Sequence, residues 1–333
     1  MTRIRTIKDL AELAGVTAGT VSRALAGSEL ISAKTRERIQ PLADEHGFRP
    51  NVMARNLRTQ RTGAIGVVIP LGHETGQHIS DPFFITMLGL IADALTERGY
   101  DLLLSRVVPT DAQWLDRYIS SGRVDGVIVI GQSNQAEVLD RVAAHYRPLV
   151  VWGGHEAGQA HCSVGSDNAA GGMLATRHLI ERGCRQIAFL GDPGALEIRQ
   201  RLEGCRAALA AAGLPAPAVV PVNLVADRAY PEIAAYLEAA GSPPDGIFAA
   251  SDVIAMTALR TLSEAGLKVP GAVRVVGYDG LAFGEQTVPP LSSVRQDMTA
   301  GATLLVDRLL RRISGEDAPY VMMAPDLLVR ASS

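Results

Sequence analysis

From residue 65 onward the chain delivers short unbroken apolar runs, each stopped by Gly, Asp or Ser. They fall at 65–69, 102–104, 126–130, 149–152, 187–190, 246–250 and 273–277. Longer amphipathic stretches separate them, as at 84–98, 170–182, 201–212 and 253–265. An apolar run without alternation is a strand buried on both faces, and strands alternating with helices form a parallel sheet covered on both sides. The fold class is therefore α/β, with a doubly wound parallel-sheet body long enough for two such units. Aromatics make up only 5% of the 333 residues, so the cores must be built from Ala, Val, Leu and Ile.

The first 62 residues are different. They carry 11 Lys and Arg against 6 Asp and Glu, while the remainder is acidic and the whole chain is −3. A basic head on an acidic body points to a polyanionic partner for the head alone. Its pattern is three short helices. Thr6 can cap the first, with Ile7, Leu10, Ala11 and Ala14 on one face and Gly15 as its stop. Thr17 can cap a second over 18–25, with Val21 and Leu25 inward. Ser32 can cap a third over 33–46, stopped by Gly47. A tight Gly-containing turn between the first two is a helix-turn-helix pattern. A plain helical bundle would share that spacing, but the second helix also presents Thr17, Thr20, Ser22 and Arg23 outward. Hydroxyls bond phosphates, and arginine can grip a guanine edge bidentately in the major groove. Arg3, Arg5, Lys34, Arg36 and Arg38 add phosphate-binding charge. Pro50 then opens a two-turn helical segment bearing Arg55, Arg58 and Arg61, with Leu57 exposed unless something covers it. It is either a basic linker or a helix that forms on DNA with Leu57 as a minor-groove wedge.

In the body, ligands of doubly wound folds sit beyond the carboxyl ends of the strands. The residues following the strands include Asp192, Ser251, Asp252, Tyr278 and Asp279. Asp167 and Asn168 precede a helix, Arg199 and Arg201 lie at a loop-to-helix entry, and Phe83 and Phe84 open a helix after Asp81-Pro82. Carboxylates, an arginine and aromatic faces together suit a polyol such as a sugar. Taken singly, Asp167 and Asp252 read equally as helix caps and the two phenylalanines as core. The polar stretch 72–78 is expected to be a surface loop. Cys162, Cys184 and Cys205 are too far apart for a zinc or disulfide pattern and are expected to be buried thiols. His155, His161 and Cys162 read as a loop cluster, so no metal and no cofactor is expected. Walker, dinucleotide-binding and nucleophile-elbow motifs are missing, which argues against an enzyme. No run approaches a membrane span, and no secretory signal follows the basic start, so a cytoplasmic protein is expected.

The segments 6–11, 14–17, 20–25, 32–36 and 47–51 together resemble, in order, the DNA-binding head of the LacI/GalR family of bacterial transcription regulators. The resemblance continues through the body. Asp81-Pro82-Phe83-Phe84 is similar to the family's N-P-F-F/Y segment, Arg201-Leu202-Glu203-Gly204 to its R-x-x-G run, and 275–279 to a strand ending in an effector-contacting aspartate. It implies a helix-turn-helix domain at 1–49, a hinge at 50–61 and a periplasmic-binding-protein-like body at 62–333. The body's lobes are expected at about 62–163 plus 293–323 and about 164–292 plus 324–333. The implied DNA-binding residues are Thr6, Thr17, Ala18, Gly19, Thr20, Ser22, Arg23, Lys34, Asn51, Ala54, Arg55 and Leu57. Ala18 and Gly19 stand at base-reading positions, so specificity shifts towards Thr17, Ser22, Arg23 and DNA shape. The implied effector set is Phe83, Phe84, Asp167, Arg199, Arg201, Ser251, Asp279 and Gln296. Ser251 stands where many members carry Asn, and no aromatic lies near Leu224, where several stack a ring. The implied function is a repressor that binds a palindromic double-stranded operator as a homodimer, without a tetramerising C-terminal helix, under control of a small effector. A sugar is expected, although some members bind purines. A sugar-binding carrier and a Rossmann-type enzyme are the alternatives.

Overall fold

The computed structural model describes residues 4, 6–48, 61–71, 76–132 and 134–333. They fall into two compact units, 1–62 and 63–333.

The head is built from α1 (Ile7–Leu13), α2 (Ala18–Leu25) and α3 (Ala33–Glu45). Each begins on the hydroxyl that the sequence suggested. Thr6 Oγ1 accepts from Asp9 N at 3.2 Å while Asp9 returns a carboxylate oxygen to Thr6 N at 3.0 Å, a reciprocal capping box. Thr17 and Ser32 accept from Thr20 N and Thr35 N. The α1–α2 turn depends on Gly15, whose φ of +61° suits glycine. Leu10, Ala11, Ala14, Val21, Ala24, Ile39, Ala43 and Phe48 close a small core.

The body holds two six-stranded sheets. The first contains β1 (Ala64–Pro70), β2 (Asp101–Val107), β3 (Gly126–Ile130), β4 (Leu149–Trp152), β5 (Cys162–Ser166) and β11 (Val321–Met323). Its spatial order is β11-β5-β4-β3-β1-β2, all parallel. The period of two is visible across its faces. Ile65, Val67, Ile128, Ile130, Val150 and Trp152 pack beneath α4 (Pro82–Thr96) and α11 (Met298–Ile313). Val68, Val127, Val129, Leu149 and Val151 pack against α5 (Trp114–Ser120) and α6 (Ala136–Ala143).

The second sheet contains β6 (Ile187–Leu190), β7 (Ala218–Val220), β8 (Gly246–Ala249), β9 (Arg274–Asp279), β10 (Ser292–Arg295) and β12 (Asp326–Leu328). Its order is β12-β10-β9-β8-β6-β7, with β12 antiparallel to β10. Its helices are α7 (Asn168–Glu181), α8 (Leu196–Ala211), α9 (Ala226–Ala239) and α10 (Asp252–Glu264). The lobe exchanges expected at 163/164 and 292/293 shift by a few residues. Cys162–Ser166 lies whole in the first sheet and Ser292–Arg295 whole in the second, because the ladders run to the strand ends before the chain crosses. Arg199 and Arg201 also lie inside a helix rather than at its entry, since α8 starts at Leu196.

α7 and α8 cross at glycines. A Cβ on Gly204 would run into the Ala169 carbonyl, and one on Gly172 into that of Arg201. The R-x-x-G spacing thus has a mechanical reason: its glycine lets two backbones touch, which seats Arg201 one turn earlier against the second sheet. All three cysteines are buried free thiols, and burial pushes Cys205 up to about 11.

Candidate functional site

Both sheets end on one cleft. Gly131, Trp152 and Ser166 follow or finish strands of the first sheet; Ser251, Asp279 and Gln296 do so for the second. About 840 Å³ there, open solvent at its mouth included, is not filled by atoms. Phe83 and Phe84 enter from the first turn of α4. Pro82 and the Asp81 cap, which accepts from Phe83 N at 2.9 Å, fix that turn. The Phe83 ring meets Phe84 at 5.8 Å between centroids and Trp152 at 6.5 Å, giving the cleft an aromatic wall.

The opposite wall is polar. Arg201 is buried, donates from Nε to Asn168 Oδ1 at 2.9 Å and from Nη1 to the Ala250 carbonyl, and lies 3.6 Å over the Tyr278 ring. Its Nη1 is 3.9 Å from Asp279 Oδ1, which also accepts from Gln296 Nε2 at 2.8 Å. Asp279 has a φ of +120°, a conformation costing roughly 1–3 kcal/mol in a non-glycine residue. Asp279 closes β9 in this conformation and lines the cleft. Burial lifts Asp279 to about 6 despite Arg201 and Gln296, and the charge of Asp81 adds to the lift. Behind it Asp252, buried and facing Asp279, is pushed up to about 8 by burial first and by that neighbour second. Asp252 is a brace rather than a cleft residue: it accepts from Leu281 N and Ser293 Oγ.

Of the residues singled out for the effector, Phe83, Phe84, Arg201, Ser251, Asp279 and Gln296 line the cleft. Two do not. Asp167 caps α7 through Ala170 N, and its neighbour Asn168 reaches the cleft instead. Arg199 points away and pairs with Glu156 at 2.8 Å on the surface, because two residues on a helix lie nearly opposite. Nor is 72–78 merely a surface loop. Residues 72–75 lie outside the described residues, but Gln77 is buried, lines the cleft and donates to Asp81 at 3.1 Å. Sequence reasoning also passed over Glu197 and Trp152. Glu197 reaches across the cleft from α8 to accept from Gly154 N at 3.0 Å. Leu224 lines the wall where a ring was noted to be missing.

The head presents a second candidate surface. Thr17 and Arg23 are exposed on α2, while Ala18, Gly19, Thr20 and Ser22 are half-buried. Thr17 and Thr20 bond each other through their hydroxyls at 2.9 Å, and Arg23 lies over Gly19. Lys34 is exposed at the start of α3. Arg36 is not free for phosphate as its charge suggested, since it donates to the Ser28 and Gly27 carbonyls and locks the α2–α3 turn. Asn51, Ala54, Arg55 and Leu57 lie outside the described residues.

Residues 6–51 match the model of bacterial regulatory proteins of the lacI family, and 176–333 match a periplasmic binding protein-like domain. The chain is 34% identical to the HTH-type transcriptional regulator CelR of Thermobifida fusca, over 98% of each chain. Among solved structures, a complex of the regulator CelR with cellobiose is similar with a TM-score of 0.71 and 31% identity, covering 99% of this chain and 100% of that one. A lac repressor dimer bound to operator and the anti-inducer ONPF is similar with a TM-score of 0.84 and 25% identity, over 98% of each.

Proposed function

The chain belongs to the lacI family of bacterial transcription regulators, and from that premise we propose that it is a repressor that binds a palindromic operator as a homodimer and answers to a sugar in its cleft. It is a helix-turn-helix regulator and not an enzyme. The observation that carries the effector reading is the cleft itself, with an aromatic wall of Phe83 and Trp152 facing Arg201, Asp279 and Gln296. Rings cover the C–H faces of a polyol while oriented polar groups take its hydroxyls. A similar regulator holding cellobiose supports the same class.

Dimerisation follows from the palindrome, which two heads must read together. Ile85 on α4 and Leu104 on the edge strand β2 are exposed apolar side chains that a second copy can cover. The similar lac repressor was solved as a dimer on operator. DNA contacts are assigned to Thr6, Thr17, Ala18, Gly19, Thr20, Ser22, Arg23 and Lys34, and in the hinge to Asn51, Ala54, Arg55 and Leu57. Cleft contacts are assigned to Phe83, Phe84, Arg201, Ser251, Asp279 and Gln296, with Asn168 in place of Asp167. Among the described residues no helix is long and apolar enough to cross a membrane. We place the protein in the cytoplasm, where its operator is.

Fluorescence anisotropy on DNA upstream of its own gene, at fixed salt and with a panel of sugars and purines, tests the proposal. Tight, competitor-resistant binding that one sugar shifts is the expected result. A shift by purines alone would overturn the effector class, and no specific site in a genome-wide binding selection would overturn the operator.

A further inference from the structure

Among the described residues the cleft is lined by three carboxylates, Asp81, Glu197 and Asp279, and by one guanidinium, Arg201. That cation is already engaged: it donates to Asn168 and Ala250 and lies against the Tyr278 ring, with its side chain only 8% exposed. The carboxylates come from both lobes. Asp81 stands at the start of α4 in the first, Glu197 and Asp279 on α8 and β9 in the second. Asp81 is raised by burial, and its charge contributes to raising Asp279, so the two already repel across the gap. A second feature points to a ligand independently of charge. Ser166, 2% exposed at the end of β5, lines the cleft, and its buried hydroxyl has no hydrogen-bond partner among the described residues. A buried hydroxyl left unpaired is costly, and a ligand hydroxyl can satisfy it.

Carboxylates only accept hydrogen bonds, so they reward ligand groups that donate. A phosphate or carboxylate on the ligand would instead meet the like charges of Asp81 and Glu197 in a partly desolvated space, where Arg201 stands against Asp279. We propose that Asp81 and Glu197 are specificity-determining residues that exclude anionic effectors and select an unphosphorylated, non-acidic polyol. The assignment rests on the sugar reading above and narrows it. Asp279 is bonded to Gln296 and stands 3.9 Å from Arg201, whose charge offsets its own, and so discriminates less.

Isothermal titration of the full-length protein with matched pairs tests this: glucose with glucose 6-phosphate and glucuronate, ribose with ribose 5-phosphate, cellobiose with cellobionate. In any pair that binds, the neutral member is expected to bind about 30-fold or more tighter than its anionic partner. Asp81→Asn and Glu197→Gln are each expected to narrow that gap by about tenfold, by raising the affinity for the anion. Asn also caps helices, so the α4 entry survives the first change. Asp111→Asn, a surface change, leaves the gap unaltered. Anionic members that match or beat their neutral partners overturn the assignment and leave the sugar reading standing. Gaps untouched by both cleft substitutions overturn it too. A response to purines alone in the anisotropy titrations, or no binding by any sugar of the panel, removes the sugar reading and this assignment together.

Discussion

At the scale of single residues, two helical glycines do opposite work. Gly204 sits where α8 meets the backbone of α7, and a methyl group there collides with the Ala169 carbonyl, which cannot swing aside. Gly204→Ala should destabilise the body by about 1–3 kcal/mol in urea unfolding, as overpacking does. Gly19 lies in the first turn of α2, where a Cβ would meet Arg23 Nη2 at 3.6 Å and Thr17 Oγ1 at 3.8 Å, ordinary contacts. Gly19→Ala should therefore stabilise the head by up to about 1 kcal/mol through helix propensity; a drop in the melting temperature of the head would contradict it. Asp252 adds a pH dependence. Its folded value of about 8 lies above the ordinary 3.8, so the folded state holds the proton more tightly. Its contribution to stability is complete below about pH 4 and is lost as the pH rises through about 8. Urea midpoints of the wild type should fall between pH 5 and pH 8 by more than those of Asp252→Asn, which carries no such charge. Equal falls in the two proteins would mean that the buried carboxyl is not the source.

At the scale of elements, the head separates basic residues that hold the fold from those open to DNA. Lys34 is exposed at the start of α3, while Arg36 is tied to the carbonyls that end α2. Lys34→Ala is expected to reduce the log–log salt slope of operator binding by about 1, as loss of one phosphate contact does. Arg36→Ala is expected to leave the slope alone and to destabilise the head by about 1 kcal/mol. A slope that falls equally for both would show that Arg36 leaves its turn on DNA. This division was not legible in the sequence, where both read only as positive charge. The starts of helices with capping hydroxyls were legible to the residue, as at Thr6, Thr17 and Ser32. α8 was not, because its start at Ala195 has no side-chain cap and its first turn looks like loop. That error placed Arg199 in the cleft beside Arg201. α9 escaped notice altogether, with Pro231 inside it and no cap at Val225. The cleft residues that follow strands were legible because strand ends are marked by the apolar runs themselves. Glu197 and Gln77 reach the site by tertiary packing, which no local pattern records, whereas Trp152 closes the apolar run 149–152 and reads there as plain strand.

At the scale of the whole molecule, the two lobes are joined where the chain passes between sheets, after Ser166, Arg295 and Met323, and among the described residues no strand ladder crosses between them. Glu197 bonding Gly154, Gln200 bonding the His155 carbonyl and Arg199 pairing with Glu156 hold the lobes together on one side of the cleft. A ligand between such lobes changes their relative angle only to the extent that it binds one angle better than the other. The coupling to DNA is then a property of the lobes, whereas the affinity is a property of the cleft wall. Phe83 separates the two, since its ring lies on the wall and α4 retains its cap and Phe84 without it. Phe83→Ala should weaken effector binding by about 10–100-fold through lost ring contact. Operator affinity without effector should stay as in the wild type. The effector concentration at half-response should rise by the same factor as its dissociation constant, while the saturating change in operator affinity, typically worth ~1–3 kcal/mol, is unchanged. Anisotropy titrations of operator across an effector series measure both. A plateau that collapses together with the affinity would mean that the Phe83 ring transmits the lobe movement as well as gripping the ligand.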